Sequence, residues 1–125
     1  MDTRDLHDQG EKLRRQMFGD AAVDQRMAAF GAFGEPLQHI INAYAYGDVW
    51  SRPALPPATK SLVMVAMMAA AGRPNELRVH VKGALGNGCS AEQIQDVLLL
   101  AMYCGIPLAN EAHRVAFEVL RETKS

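Results

Sequence analysis

The chain has 125 residues, about half of them hydrophobic, and its 13 basic side chains nearly balance its 14 acidic ones for a formal net charge of −1. That length fits one globular domain, residues 1–125, and leaves no room for two; the balanced charge excludes the broad basic footprint of a nucleic-acid binder and an acidic solvating tail. The longest apolar run, Leu62 to Ala71, is ten residues where a membrane span needs roughly 20, and the charged opening from Met1 to Asp8 lacks a signal peptide's apolar stretch, so the expectation is a soluble cytoplasmic protein.

Glycine and proline punctuate the chain at helix-length intervals, and no stretch alternates as a half-buried strand would. Thr3 to Phe18 predicts an opening helix that ends at Gly19. Asp20 caps a second, with Val23, Met27, Ala28 and Phe30 as its apolar positions and a stop near Gly31. Pro36 suits the first turn of a third, whose inner side is expected to carry Leu37, Ile40, Ile41, Tyr44 and Ala45, and which Gly47 ends. Asp48 to Pro57, with three prolines, predicts an ordered loop.

The fourth helix, from about Pro57 to Ala71, is apolar nearly all round beyond Ser61. Such a helix is buried on most sides, either inside a bundle or against another subunit, and in so short a chain this favours a homo-oligomer. Gly72 stops it, and Pro74 opens the fifth, which runs to about Leu85 before Gly86-Asn-Gly88. Ser90 with Gln93 forms a capping-box pattern at the head of a sixth helix, Ala91 to Tyr103. Gly105 and Pro107 separate it from the last, Leu108 to Glu122. The fold class is therefore all-α, a single-domain bundle of six to seven short helices.

Glu76 and His80 are four residues apart in the fifth helix and share one of its faces. A carboxylate beside an imidazole fixes its tautomer and makes a usable general acid or base, although the same spacing also occurs in ordinary solvent-facing helices. Tyr46-Gly-Asp-Val-Trp-Ser-Arg-Pro53 gathers Tyr46, Trp50 and Arg52. Two readings stand open there: a wall for a planar anionic molecule gripped by arginine, or a loop pinned to the core by Trp50 with Arg52 in water. His39 is placed on the inner side of the third helix, where a lone histidine is more often a satisfied core residue. Cys89 and Cys104 lack both a disulfide framework and metal-ligand spacing. Cys89, just before the Ser90 cap, is placed to feel a helix N-terminus that would lower its pKa, and Cys104 lies in an apolar helix, but both are expected to be structural rather than reactive. His113 reads as a surface or interface residue, and the seven methionines as core filling rather than a metal box.

Tyr46–Pro53, Lys60-Ser-Leu-Val63, Glu76-Leu-Arg-Val-His80, Gly83-Ala-Leu-Gly-Asn-Gly88 and Tyr103-Cys-Gly-Ile-Pro107 resemble, in order and spacing, the γ-carboxymuconolactone decarboxylase family, over roughly residues 10–122. The resemblance implies an alkylhydroperoxidase-like all-α fold and a ring-shaped homo-oligomer, a hexamer or trimer. It further implies conversion of γ-carboxymuconolactone to the β-ketoadipate enol-lactone and carbon dioxide, a step in bacterial protocatechuate breakdown. The chain departs from the family pattern at Lys60 (usually arginine), Tyr46 (usually tryptophan) and Ala54 (usually glycine), and lysine cannot make arginine's two-pronged grip. The thiol branch of the fold carries C-x-x-C ahead of a histidine; Arg73 and Glu76 stand at those positions here.

In such a decarboxylation the lactone carbonyl is the electron sink, so no cofactor is required. The protein must hold the retained carboxylate, stabilise the oxyanion and protonate a ring carbon. His80 and Glu76 are therefore the expected catalytic pair, with Arg52, Lys60, Trp50, Tyr46 and His39 binding substrate. The alternatives are a cysteine-dependent peroxidase or reductase of the same fold and a non-catalytic acid-binding oligomer.

Overall fold

The computed structural model describes residues 2–123, and every regular element among them is helical. Two compact units divide at Leu55/Pro56.

In the first unit, helix α1 (Thr3–Phe18) opens on Asp2, whose carboxylate accepts from the Arg4 N–H, and closes at Gly19. Helix α2 (Asp20–Ala28) follows at once; Asp20 is its first residue and Gly19 its cap. Arg15 ties the two helices together by pairing with Glu11 (3.0 Å), Asp20 (3.1 Å) and Asp24 (2.7 Å). A short 3₁₀ turn, Gly31–Gly34, leads into α3 (Glu35–Ile40), which widens without a break into a π-helix over Ile41–Val49. The Trp50 N–H reaches back five residues to the Ala45 carbonyl (2.9 Å), the bond that defines the wider turn. So Gly47 does not end the third helix: it lies inside the π-helix.

Its position there is steric. A Cβ on Gly47 would stand 2.2 Å from the Leu6 carbonyl oxygen, and one on Gly10 would stand 1.6 Å from that of Asn42. Helix α1 and the π-helix therefore cross backbone to backbone, which only glycine permits on either side.

The buried face of this third segment is the reverse of the expected one. Leu37, Ile40 and Tyr44 are 49%, 53% and 43% exposed, while Gln38, Asn42, Ala43 and Tyr46 are buried. Helix α1 supplies the reason: its buried side carries Arg14, and the amides of Gln38 and Asn42 face inward to meet that cation.

The second unit packs α4 (Pro57–Ala70), α5 (Pro74–Gly86), α6 (Ala91–Leu100) and α7 (Ile106–Thr123) around one core. Small residues at the contacts (Ala69, Ala84, Ala112, Ala116) bring the helices close, with Val65, Leu77, Val81, Ile94 and Leu98 filling between them. Gly72 takes φ +67° where α4 stops, and Ser90 and Gln93 form the full reciprocal capping box at α6. Helix α6 ends at Leu100 and tightens into a 3₁₀ turn, Ala101–Cys104, rather than running as an α-helix to Tyr103. Helix α4 buries only one stripe, Ser61, Val65 and Ala69; Val63 and Met67 on its other side are 44% and 49% exposed. The expectation of burial on most sides is thus not met within the chain.

Candidate active site

Helix α5 carries the expected catalytic pair. Pro74 starts it and the backbone is regular through Gly86, so Glu76 and His80 stand one turn apart. Glu76 is exposed, whereas His80 is half-buried with its Nδ1 enclosed, flanked in sequence by the buried Leu77, Val81 and Ala84. An imidazole half in an apolar surround, one helical turn from a carboxylate open to water, can move a proton between a buried reacting atom and solvent. Lys60, on the first turn of α4, is half-buried.

The first unit holds the other expected residues. Tyr46 and Trp50 are each 8% exposed, their rings stacked at 5.9 Å and 14° between planes. They stand four residues apart, Tyr46 inside the π-helix and Trp50 capping it. Burial pushes the Tyr46 hydroxyl's pKa up, against the opposing pull of Arg14 and Arg26. Arg52 lies outside: its side chain is 69% exposed and bonds Asp48 through Nε (3.0 Å) and Nη2 (3.4 Å). Of the two readings of this segment, the structure places Trp50 in the interior and Arg52 at the surface.

His39 is not on an inner face. It is exposed and stacks on His7 at 5.2 Å beside a polar recess of about 310 Å³ that also includes Asp2, Thr3 and Arg4. The inner face of α3 is taken by Gln38 instead.

Sequence reasoning missed Arg14. Its side chain is 4% exposed, its Nη1 donates to Gln38 Oε1 (2.8 Å) and Asn42 Oδ1 (3.1 Å), and its guanidinium lies 5.7 Å from the Tyr46 ring centre. Asn42 in turn donates to His7 Nε2 (3.2 Å). Burial is the main influence on Arg14, lowering its pKa from the ordinary arginine value. The available signal was positional: Gly10, Arg14 and Met17 fall on one side of α1 by helical spacing, and all three are buried.

The two thiols sit in different surroundings. Cys89 is buried, its Sγ donates to the Ala58 carbonyl (3.4 Å), and burial pushes its pKa up, opposite to the helix-terminus effect. A thiol nucleophile needs the reverse. Cys104 is exposed in the 3₁₀ turn, at the edge of an apolar groove of about 340 Å³ between α4 and α6. His113 is half-buried and donates from Nδ1 to the Ala109 carbonyl (2.7 Å). Among the described residues no three His, Cys, Asp or Glu side chains gather as metal ligands, and no helix is long and apolar enough to cross a membrane.

The sequence profile of the carboxymuconolactone decarboxylase family matches residues 35–118. The chain is 33% identical to a 4-carboxymuconolactone decarboxylase of Acinetobacter baylyi over 98% of its own length and 92% of the relative's. It is also 32% identical to the nitrosuccinic acid decarboxylase npaB of Metarhizium robertsii, over 95% of this chain and 84% of that one.

Proposed function

The chain belongs to the carboxymuconolactone decarboxylase family, and we propose that, as a carboxy-lyase of that family, it removes carbon dioxide from a carboxylated unsaturated lactone such as γ-carboxymuconolactone. The product is the β-ketoadipate enol-lactone, in the breakdown of protocatechuate. The observation that carries this reading is 33% identity, over 98% of the chain, to a relative named for that activity. A second relative is named for decarboxylating a different acid, so loss of carbon dioxide is common to both names and the lactone belongs to the first alone.

The chemistry proceeds without a coenzyme. The bond from ring carbon to carboxylate breaks, carbon dioxide leaves, and the electron pair delocalises onto the lactone carbonyl oxygen. His80 then delivers a proton to the ring carbon. Glu76 orients the imidazole, and its exposure gives the spent imidazole a route to recover a proton from water. The enclosed Nδ1 and apolar sequence neighbours of His80 favour loss of a charged carboxylate as neutral gas. Lys60, half-buried on the first turn of α4, supplies positive charge for the retained carboxylate.

In this reading the working form is a cytoplasmic homo-oligomer, a hexamer or trimer. Its support is apolar exposure: Leu100, Met102, Tyr103 and Ile106 are 65%, 54%, 88% and 65% exposed in consecutive turns, more than an isolated chain ordinarily leaves in water. Incubating the protein with γ-carboxymuconolactone and measuring released carbon dioxide tests the function directly. Stoichiometric release supports it, and binding without release overturns it.

A further inference from the structure

A hollow of about 290 Å³ between α6 and α7 has no part in that scheme. Its α7 side is formed by residues at helical spacing, His113, Ala116 and Phe117, so one face of that helix is given over to it. Ile94, Leu98 and Ala116 are buried and make its floor, while Phe117 is 62% exposed. Ala116 presents only a methyl group there, where a larger side chain would close the gap. The hollow is half-open to solvent, and it is lined by none of the exposed residues on which the oligomer reading rests.

His113 supplies the one titratable group among the lining residues. Its Nδ1 donates to the Ala109 carbonyl at 2.7 Å, which fixes the tautomer of the neutral ring and makes Nε2 an acceptor. Among the described residues Nε2 makes no hydrogen bond, and it is not sealed from solvent. Holding one ring nitrogen in place orients the other before a ligand arrives, which removes the entropy cost of ordering it on binding. A bound carboxylate would set acceptor against acceptor, whereas an O–H group would meet Nε2 directly. Phe117 favours an aromatic body for that ligand, since rings pack edge to face or offset against one another. The Arg121 guanidinium lies 5.5 Å from the Phe117 ring centre and steadies it.

We infer that this hollow is a ligand site for a phenol, a single aromatic ring whose hydroxyl donates to His113 Nε2 while the ring covers Ile94, Leu98 and Phe117. Its size, at the lower end of the roughly 300–1,000 Å³ range of small-molecule pockets, suits one ring rather than several. With no second titratable group in its lining, the hollow is equipped to bind and not to catalyse. It is formed by α6 and α7, whereas His80 and Glu76 belong to α5, so it is a site additional to the proposed catalytic one.

The test titrates phenol and toluene, which exchange a hydroxyl for a methyl on the same ring, into the wild-type protein and His113→Leu. Binding is followed by the amide resonances of α6 and α7 at about pH 8, where an ordinary imidazole is neutral. The ratio of phenol affinity to toluene affinity should be about fivefold higher in wild type than in the variant, the worth of one hydrogen bond. An equal ratio overturns the proposal. So does the absence of any phenol-dependent shift in wild-type α6 and α7, the result expected if a second copy of the chain fills the hollow. Should His113→Leu fail to fold, the ring nitrogen resonances of wild-type His113 decide the matter: phenol should move Nε2 and toluene should not, and an Nε2 unmoved by phenol overturns the proposal. Neither measurement involves turnover, so this site stands or falls separately from the decarboxylase reading.

Discussion

Asn87 Nδ2 donates to Ser61 Oγ at 2.9 Å, joining the residue that caps α5 to a hydroxyl on α4 that is fully buried. Asn87 follows Gly86 and precedes Gly88, whose φ of +91° turns the chain toward Cys89 and the α6 cap. Replacing Asn87 with alanine leaves the Ser61 hydroxyl without this partner in the core. The expected cost is about 1–2 kcal/mol of unfolding free energy, read from urea denaturation with an unchanged slope. Asn87→Asp, which keeps an acceptor, should recover part of it.

His80→Ala should lower kcat/KM for γ-carboxymuconolactone by about a hundredfold while leaving the helical circular dichroism unchanged. Glu76→Gln keeps the side chain's shape and removes its charge, so it should cost less and should displace the acidic limb of the pH–rate profile. Full turnover by a folded His80→Ala protein removes His80 from the chemistry.

Gly10→Ala places a Cβ against the Asn42 carbonyl, where backbone cannot yield as a flexible side-chain tip would. About 3 kcal/mol of destabilisation is expected, seen as a lowered melting temperature. Gly19→Ala provides the contrast. No atom lies within 4 Å of its Cβ, and only its φ of +88° opposes the change, so a smaller cost of about 1 kcal/mol should follow.

Burial raises the pKa of both Cys89 and Tyr46. Each neutral form is therefore favoured in the folded state. The corresponding stability is complete below the unfolded-chain values, about 8.5 for cysteine and 10 for tyrosine, and is lost as pH rises through the higher folded values. Stability should accordingly fall above about pH 8.5, and Cys89→Ala should flatten the first part of that decline. At neutral pH a thiol reagent should modify exposed Cys104 well before Cys89, and decarboxylase turnover should survive Cys89→Ala.

What the sequence disclosed was local. Ser90 and Gln93 announce a capping box because both partners lie within one turn, and Gly72 and Pro74 mark a boundary by backbone preference alone. That Glu76 and His80 stand one turn apart was legible for the same reason, since helical spacing is local. The third helix was read inside out because its orientation depends on a residue more than twenty positions away: Arg14 turns Gln38 and Asn42 inward and leaves Leu37 and Ile40 outside. Hydrophobicity ranks those side chains in the opposite order. The π-turn was equally hidden, since it follows from a glycine–glycine crossing that no single window contains.

The wide winding between Ile41 and Val49 makes this stretch sensitive to length as well as to identity. Deleting one residue there would let the coil tighten to the common pitch and rotate the residues that follow relative to α1, while every remaining side chain stayed the same. A one-codon deletion could thus re-aim several side chains at once, a change that point substitution reaches only in several steps. Libraries that vary this segment should therefore sample indels as well as substitutions.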